Sequence, residues 1–317
     1  MKKVACIGIM VADAIVGTVN EYPKAGELLP VKSITLHNGG NAMTAAININ
    51  TLGVEASVIG AVGNDVFGKF LIDKLTGLGI NTDAVCIKND VQTSASVLFV
   101  DETGERSFFH CKGANGTFSY DDIDFDIIDK NDLIFVTGSF LMDTFDGENT
   151  MKCLKKCKEM GKTTFLDVCW DASGKWGEIL DVCMPYIDYF MPSIDEAKNI
   201  AKKDDLDEMA DVFMQKGVKN VVIKVGSKGA YLRLEGEVKG KLYPAFKGIK
   251  AIDTTGAGDS FCSGFLAMFA RDGSPEECVS FANATGALSV MATGATEGMK
   301  PYEEVLKFIK EKGDKKC

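Results

Sequence analysis

The sequence contains few basic residues for its number of acidic ones. It has 35 lysine and arginine residues against 45 aspartate and glutamate residues, so the formal net charge of the 317-residue chain is −10. Nucleic acids and anionic membranes bind to basic surfaces, and this charge argues against both as partners. A small nucleotide remains compatible with it, because a few backbone N–H groups can bind a phosphate locally.

The chain also lacks the cysteine patterns of metal sites and of secreted proteins. Its ten cysteines are scattered without a Cys-x-x-Cys pair, and Cys153 and Cys157, four residues apart, supply too few ligands for zinc. We therefore expect reduced thiols and a cytoplasmic protein. The first apolar run, Val4 to Ala12, contains Gly8 and is followed by Asp13, so we expect neither a signal peptide nor a membrane span.

Two common nucleotide-binding motifs are missing as well. No Gly-x-x-x-x-Gly-Lys-Ser/Thr sequence is present, which excludes a Walker-type kinase. Gly256 and Gly258 lack the third glycine of the dinucleotide fingerprint and lie late in the chain, which disfavours an oxidoreductase. Length alone would allow two or three domains, although a single α/β domain can reach this size. We find no internal repeat, low-complexity tract or linker, and we expect one domain over residues 1–317.

What stands out is the nine-residue run Asp253-Thr-Thr-Gly-Ala-Gly-Asp-Ser-Phe261. It follows a segment with strand character and opens an apolar helix, Phe261 to Ala270. Gly256 and Gly258 allow a positive φ and close approach to a ligand. Successive N–H groups at the positive end of a helix dipole bind anions, so we expect the amides of Gly256, Ala257 and Gly258 to hold a phosphate.

Asp259 places a carboxylate beside this predicted anion site. A negative charge next to a polyphosphate is unfavourable, unless the carboxylate accepts the proton of a hydroxyl group that attacks the terminal phosphorus. The alternative is a glycine-rich helix start in which Asp259 only supports the dipole.

Two polar positions near the N-terminus are candidates for binding hydroxyl groups. Asp13 follows the apolar run that begins at Val4, which predicts a buried strand with a carboxylate at its carboxyl end, where open α/β sheets bind ligands. A solvated turn residue is the alternative. The glycines Gly39 and Gly40 lead into a helix of small residues, and Asn41 at its start either caps the helix or binds a polyol.

These two stretches, in this order, resemble the N- and C-terminal signatures of the ribokinase-like (PfkB-type) carbohydrate kinases. The resemblance covers nearly the whole chain, from Asp13 to Gly294. It implies an α/β fold with a mostly parallel central sheet flanked by helices, which agrees with the strand–helix alternation after Asp132. It also implies a small β-rich lid over the sugar, built here from about residues 14–37 and 93–112, that often supplies a dimer contact.

Within the lid, strand-like runs cover Glu27 to His37, Thr93 to Asp101 and Arg106 to Lys112, the last two joined by a turn at residues 102–105. Candidate substrate contacts near these runs are Arg106, Phe109, His110 and Asn115, each with a structural or solvated role as the alternative. His110 has no sequence partner that would make it catalytic.

The resemblance implies a role for further residues. Sugar hydroxyl groups would be bound by Asp13, Gly39, Gly40, Asn41 and Asn115. The nucleotide would be bound by Lys224, Gly226, Thr255, Gly256, Gly258 and Asn283. Magnesium would be held through water by Glu196, although Ser193 stands where the family usually has asparagine, and Ser193 with Glu196 also forms a capping box. A monovalent cation, potassium, would lie at Asp253, Thr255, Ser289, Ala292 and Gly294.

We therefore predict ATP- and Mg²⁺-dependent phosphoryl transfer to a hydroxyl group of a small sugar, with Asp259 as the general base. A nucleoside kinase and a non-catalytic sugar or nucleotide sensor of the same fold are the alternatives. The lid loops carry no readable code for the substrate. Ribose, fructose, 2-keto-3-deoxygluconate, a sugar phosphate and a nucleoside are all accepted within the family.

Overall fold

A computed structural model describes residues 1–102 and 106–313. Within them, nine strands form one sheet in the order β13-β12-β11-β10-β9-β8-β1-β4-β5, parallel except around β12. These strands are β1 Val4–Gly8, β4 Ala56–Gly63, β5 Val85–Lys88, β8 Leu133–Ser139, β9 Thr163–Val168, β10 Tyr189–Phe190, β11 Asn220–Lys224, β12 Ala230–Arg233 and β13 Lys241–Tyr243. The predicted α/β fold with a mostly parallel sheet is confirmed.

Helices cover both faces of this sheet. They are α1 Asn41–Thr51, α2 Val66–Gly77, α3 Gly113–Thr117, α4 Phe125–Asp129, α5 Glu148–Glu159, α6 Gly177–Leu180, α7 Ile194–Ala201, α8 Leu206–Gln215, α9 Ala257–Phe269, α10 Pro275–Ser289 and α11 Tyr302–Gly313. In β1, Val4 and Cys6 enter one hydrophobic core while Ala5 and Ile7 enter the other. A continuous apolar run is what a strand buried on both faces requires. Among the described residues, no helix is long and apolar enough to cross a membrane.

The second sheet has four strands in the described residues, in the order β3-β2-β6-β7. They are β2 Val11–Gly17, β3 Ser33–Gly39, β6 Ala95–Val100 and β7 Arg106–Cys111. This sheet lies where the lid was predicted, but β3 begins at Ser33, so the prediction of a strand from Glu27 is wrong for its first six residues. The turn residues 103–105 lie outside the described residues.

The first apolar run also differs from the prediction. Residues 4–17 form two strands in two different sheets, because β1 ends at Gly8 and β2 begins at Val11. Asp13 therefore lies inside a strand of the second sheet, paired with His37 and Ser96, and does not follow the strand of the central sheet.

Candidate active site

Two adjacent cavities lie at the carboxyl edge of the central sheet. A cavity of about 450 Å³ is lined by residues that include Asn41, Asp167, Cys169, Glu196, Lys224 and Asp259. A cavity of about 670 Å³ extends from it towards Asn283 and Phe246. Both are lined by Lys224, Gly226, Thr254, Ala257 and Gly258. The structure thus brings together residues from β9, β11, α1, α7 and α9, as expected for an open α/β sheet.

The nine-residue run forms the start of α9 at the border of the two cavities. The helix begins at Ala257, four residues before the predicted start at Phe261. Gly256, just before it, has φ +69° and ψ 8°, and a Cβ there would lie 2.8 Å from the Ala295 carbonyl oxygen. Gly258 is helical without a positive φ, and a Cβ there would make an ordinary 3.5 Å contact with Lys224 Nζ. Of the two glycines that allow a positive φ, only Gly256 therefore adopts one.

Asp259, the third residue of α9, faces the smaller cavity. Its Oδ1 accepts a 2.7 Å hydrogen bond from the Asn41 side-chain amide. Burial raises the pKa of the Asp259 carboxyl, while the bond from Asn41 and the charge of Lys224 act in the opposite direction. A carboxylate with a raised pKa is a stronger base, which suits it to accept a proton.

Asn41 does not cap α1, so that alternative for its role is wrong. The N-cap position is Gly40, with φ +85°, and no side chain bonds the first turn. The Asn41 amide instead donates to Asp259, and its Oδ1 accepts a 3.2 Å bond from the Cys169 thiol. Asn41 therefore orients the carboxylate and fills part of the cavity wall.

Asp13, in β2 of the second sheet, lies against Gly39 at the end of β3. A Cβ at Gly39 would overlap the Asp13 carboxylate, so the glycine makes the room that this side chain occupies. Burial raises the Asp13 pKa to about 6, and a hydrogen bond with Ser96 opposes the rise. Ser96 in turn lies 3.1 Å from Nδ1 of His110. Ser96, which the sequence analysis missed, has no signal in the sequence; only its strand register places it beside Asp13.

Lys224 and Asp167 form a buried ion pair at the floor of the smaller cavity. Lys224 Nζ lies 2.7 Å from both carboxylate oxygens of Asp167, and the two side chains are 12% and 3% exposed. Burial disfavours the charged ammonium, but the carboxylates of Asp167 and Glu196 outweigh this effect and raise the Lys224 pKa above its ordinary value. Lys224 is thus a fixed cation at the border of the two cavities.

Glu196 lies in the first turn of α7 and lines the same cavity. Its carboxylate accepts a 2.6 Å bond from the Ser193 N–H, and Ser193 Oγ accepts from the Glu196 N–H, so the predicted capping box is present. Burial raises the pKa of the Glu196 carboxyl, and the positive charge of Lys224 opposes this rise. Glu196 therefore takes part in capping α7 and also lines the cavity.

The remaining candidates occupy varied positions. Asn115 is 2% exposed and bonds both the N–H and the carbonyl of Met10, so its amide holds the segment between β1 and β2. Asn283 lines the larger cavity and donates to the carbonyls of Tyr243 and Pro244. Gly226, with φ +54°, begins a 3₁₀ turn that borders both cavities.

Asp253 ties together the two segments of the predicted cation site. Its Oδ1 accepts from the Thr255 N–H and its Oδ2 from the Gly294 N–H, each at 2.8 Å. The Ile252 N–H donates to the Val290 carbonyl at 2.7 Å, and Ala292 N–H donates to that of Ser289 at 3.3 Å. The structure thus brings residues 253–255 next to residues 289–294.

Two cavity residues, Cys169 and Trp170, were missed by the sequence analysis. Cys169 bonds Asn41, and Trp170 is 59% exposed with its ring packed edge-on against Trp176 at 5.1 Å. Both follow β9 directly, at the edge of the sheet where ligands bind. That position is the signal that could have found them.

Comparison with known proteins agrees with this architecture. A model of the pfkB family of carbohydrate kinases matches residues 1–301. An uncharacterized sugar kinase of Archaeoglobus fulgidus is 30% identical over 253 residues, which span 80% of this chain and 98% of that protein. Ribokinase of Haemophilus influenzae is 26% identical over a match that spans 97% of this chain and 98% of that protein.

Solved structures superpose over nearly the whole chain. Ribokinase from Thermotoga maritima has a TM-score of 0.84 and 26% identity, and covers 98% of this chain and 100% of its own. Arabidopsis thaliana ribokinase, solved with ribose and ATP, also has a TM-score of 0.84 and 26% identity. The superposition covers 98% of this chain and 99% of that protein.

Proposed function

The chain belongs to the pfkB family of carbohydrate kinases and is an ATP-dependent kinase of a sugar or nucleoside, and from this premise we propose that Asp259 is its general base. The observation that carries the proposal is the position of this carboxylate. It lies in the first turn of α9 beside amides that can bind a phosphate, in a cavity lined by polar groups. Its raised pKa favours proton acceptance.

We assign the sugar to the side of Asp259 that faces the second sheet. Asp13 lies against Gly39, and the chain continues through Gly40 to Asn41, which bonds Asp259. A carboxylate and an amide can together accept from and donate to vicinal hydroxyl groups. The ATP phosphates would meet the amides of residues 256–258 and Lys224. The larger cavity, with Asn283 in its wall, has the size of a small-ligand pocket and would take the adenosine part.

The donor groups at the site fit magnesium that keeps phosphate and water ligands. Asp167, Glu196 and Asp259 surround one ammonium group, yet the described residues contain no cluster of three or more His, Cys, Asp or Glu side chains placed to ligate a metal directly. Magnesium commonly binds through few carboxylates with several waters. Glu196 would hold the ion through water, and the bound ion would neutralise charge on the phosphates.

We further propose a potassium site and a dimer. Asp253 already fixes the segments that carry Thr255 and Gly294, so their carbonyls could share one cation near the phosphate site. On the face of the second sheet opposite to Asp13, one cross-strand row contains Leu36, Ala14, Val97 and Phe109. Three of these four side chains are 37–68% exposed, and burying them against a second copy would complete the lid.

A cytoplasmic location follows as part of the same proposal. ATP is the co-substrate, and the cysteines among the described residues are free thiols, several of them buried in the core. An oxidising compartment would favour disulfide-bonded cysteines instead.

The test of the base is Asp259→Asn. The amide is nearly isosteric, so the fold and the binding of ATP should be kept, whereas kcat should fall by about 10²- to 10⁴-fold. Asp272→Asn is the matched control, because Asp272 follows the other end of α9 and is exposed beside Lys2. Normal turnover by Asp259→Asn would return Asp259 to a structural role.

The substrate is sought with a phosphotransfer panel of ribose, fructose, 2-keto-3-deoxygluconate, sugar phosphates and nucleosides. The substrate is the compound with the highest kcat/KM, and a nucleoside in that place would favour the alternative kinase. ATP hydrolysis without transfer to any acceptor would contradict the assignment of the sugar site.

A further inference from the structure

The smaller cavity is lined by one ammonium group, that of Lys224, and by three carboxylates. Lys224 could pair with Asp167, Glu196 or Asp259, since all three line the cavity with it. It binds both oxygens of Asp167 at 2.7 Å. The other two carboxylates bond neutral groups instead, Asp259 the amide of Asn41 and Glu196 the N–H of Ser193.

The position of Lys224 makes this choice of partner important. A Cβ on Gly258 would lie 3.5 Å from Lys224 Nζ, so the ammonium lies directly beneath the first turn of α9, next to the residue that bears the base. An ammonium in contact with the Asp259 carboxylate would occupy its lone pairs and weaken it as a base. A long, flexible lysine side chain can reach more than one carboxylate in such a cluster.

We propose that Asp167 is a positioning residue that holds the Lys224 ammonium away from Asp259, so that Asp259 stays free to accept the proton of the sugar hydroxyl. The inference rests on the proposed role of Asp259 and adds a role for a residue that touches neither substrate in that scheme. Asp167 is suited to it, because it is 2% exposed and two short bonds lock the ammonium in place.

The groups that face Asp259 from the surrounding elements are Asn41 of α1, Lys224 of β11, Asp167 of β9, Glu196 of α7, Cys169 after β9 and Cys262 of α9. Burial raises the pKa of both thiols well above its ordinary value, so they stay neutral at the pH of the assay. Glu196 is unchanged in all the variants below. The two charges that the variants remove are therefore those of Asp167 and Lys224.

The test is the pH dependence of kcat for Asp167→Asn, Lys224→Met and the double variant. In Asp167→Asn the Lys224 ammonium turns to Asp259 and lowers its pKa. The acid limb, the acidic side of the kcat–pH profile, should then move to lower pH by on the order of one unit. In Lys224→Met the attraction is lost, and the limb should move to higher pH by a similar amount. The double variant should lie close to wild type, because both charges are gone.

Shifts of the acid limb in opposite directions in the two single variants distinguish a positioning role of Asp167 from a purely structural one. If the pair only stabilised the fold, both single variants would lose stability while their acid limbs stayed together, or moved the same way, and the proposal would be overturned. Thermal melting of each preparation records the structural cost. If Asp167→Asn fails to fold, Asp167→Glu replaces it: the longer side chain keeps the negative charge but moves the ammonium that binds both Asp167 oxygens, so the acid limb should still shift, and an unmoved limb in a folded Asp167→Glu would overturn the proposal.

Asp259→Asn distinguishes failure of this inference from failure of the proposed function. If Asp259 is the base, the residual rate of this variant should lack the acid limb. An intact limb in Asp259→Asn would overturn the assignment of the base. A missing limb there, with no opposed shift in the Asp167 and Lys224 variants, would overturn only the positioning role.

Discussion

Alanine in place of Gly256 and alanine in place of Gly258 should have opposite effects on stability. In Gly256→Ala the new residue must keep φ +69°, which costs a non-glycine residue about 1–2 kcal/mol. Its Cβ would also lie 2.8–3.0 Å from three atoms of Ala295, two of them backbone. Relief of such a contact costs about 1–3 kcal/mol, so we expect a total loss of roughly 2–5 kcal/mol.

Gly258→Ala has neither problem. The residue is helical, and its Cβ would make an ordinary van der Waals contact of 3.5 Å with Lys224 Nζ. Alanine in place of glycine within a helix is worth about 0.5–1 kcal/mol, so this variant should be as stable as wild type or slightly more so. Its methyl group borders both cavities, however, and we expect a higher KM for ATP.

Thermal melting and steady-state kinetics on the same preparations test both expectations. At about 2 °C per kcal/mol for a chain of this size, Gly256→Ala should lower Tm by about 4–10 °C, and Gly258→Ala should not lower it. Gly256→Ala should also lose kcat, because it displaces the N–H groups of the first turn. Equal melting temperatures for the two variants, or a larger loss in Gly258→Ala, would refute the reasoning from φ and Cβ contacts.

Three further predictions concern the sugar site, the cation and the lid. Burial raises the Asp13 pKa to about 6, so the carboxylate is ionised above that pH and protonated below it. KM for the sugar should therefore rise as the pH falls from 7 to 5. Asp13→Asn should give a high KM that does not change over this pH range. Potassium should raise kcat relative to tetramethylammonium at equal ionic strength, and equal rates in the two salts would count against the site at residues 253–255. Phe109→Glu should convert a dimer to a monomer in sedimentation experiments and raise KM for the sugar more than for ATP, because Phe109 is 68% exposed on the outer face of the second sheet; a wild-type monomer would contradict the proposed dimer.

Local sequence determined the parts of the site that depend on a few neighbouring residues. The run from Asp253 to Phe261 contains its own turn glycine, helix start and carboxylate, and the structure places them together at one cavity. The alternation of strands and helices likewise predicted the central sheet, because hydrophobic periodicity is a short-range property. Roles for particular side chains, including the catalytic role of Asp259, remain predictions.

Tertiary structure decided which partner each polar group has. Asn41 bonds Asp259 across 218 positions of the chain, and Lys224 bonds Asp167 across 57. Neither pairing is visible in local patterns, because sheet order and strand register bring these residues together. Register also placed Asp13 beside Ser96. The start of α9 at Ala257 leaves Gly256 at the N-cap with a positive φ and puts Gly258 inside the helix. Composition and spacing specify which groups are available, but only the folded chain fixes the distances on which their pKa values and their chemistry depend.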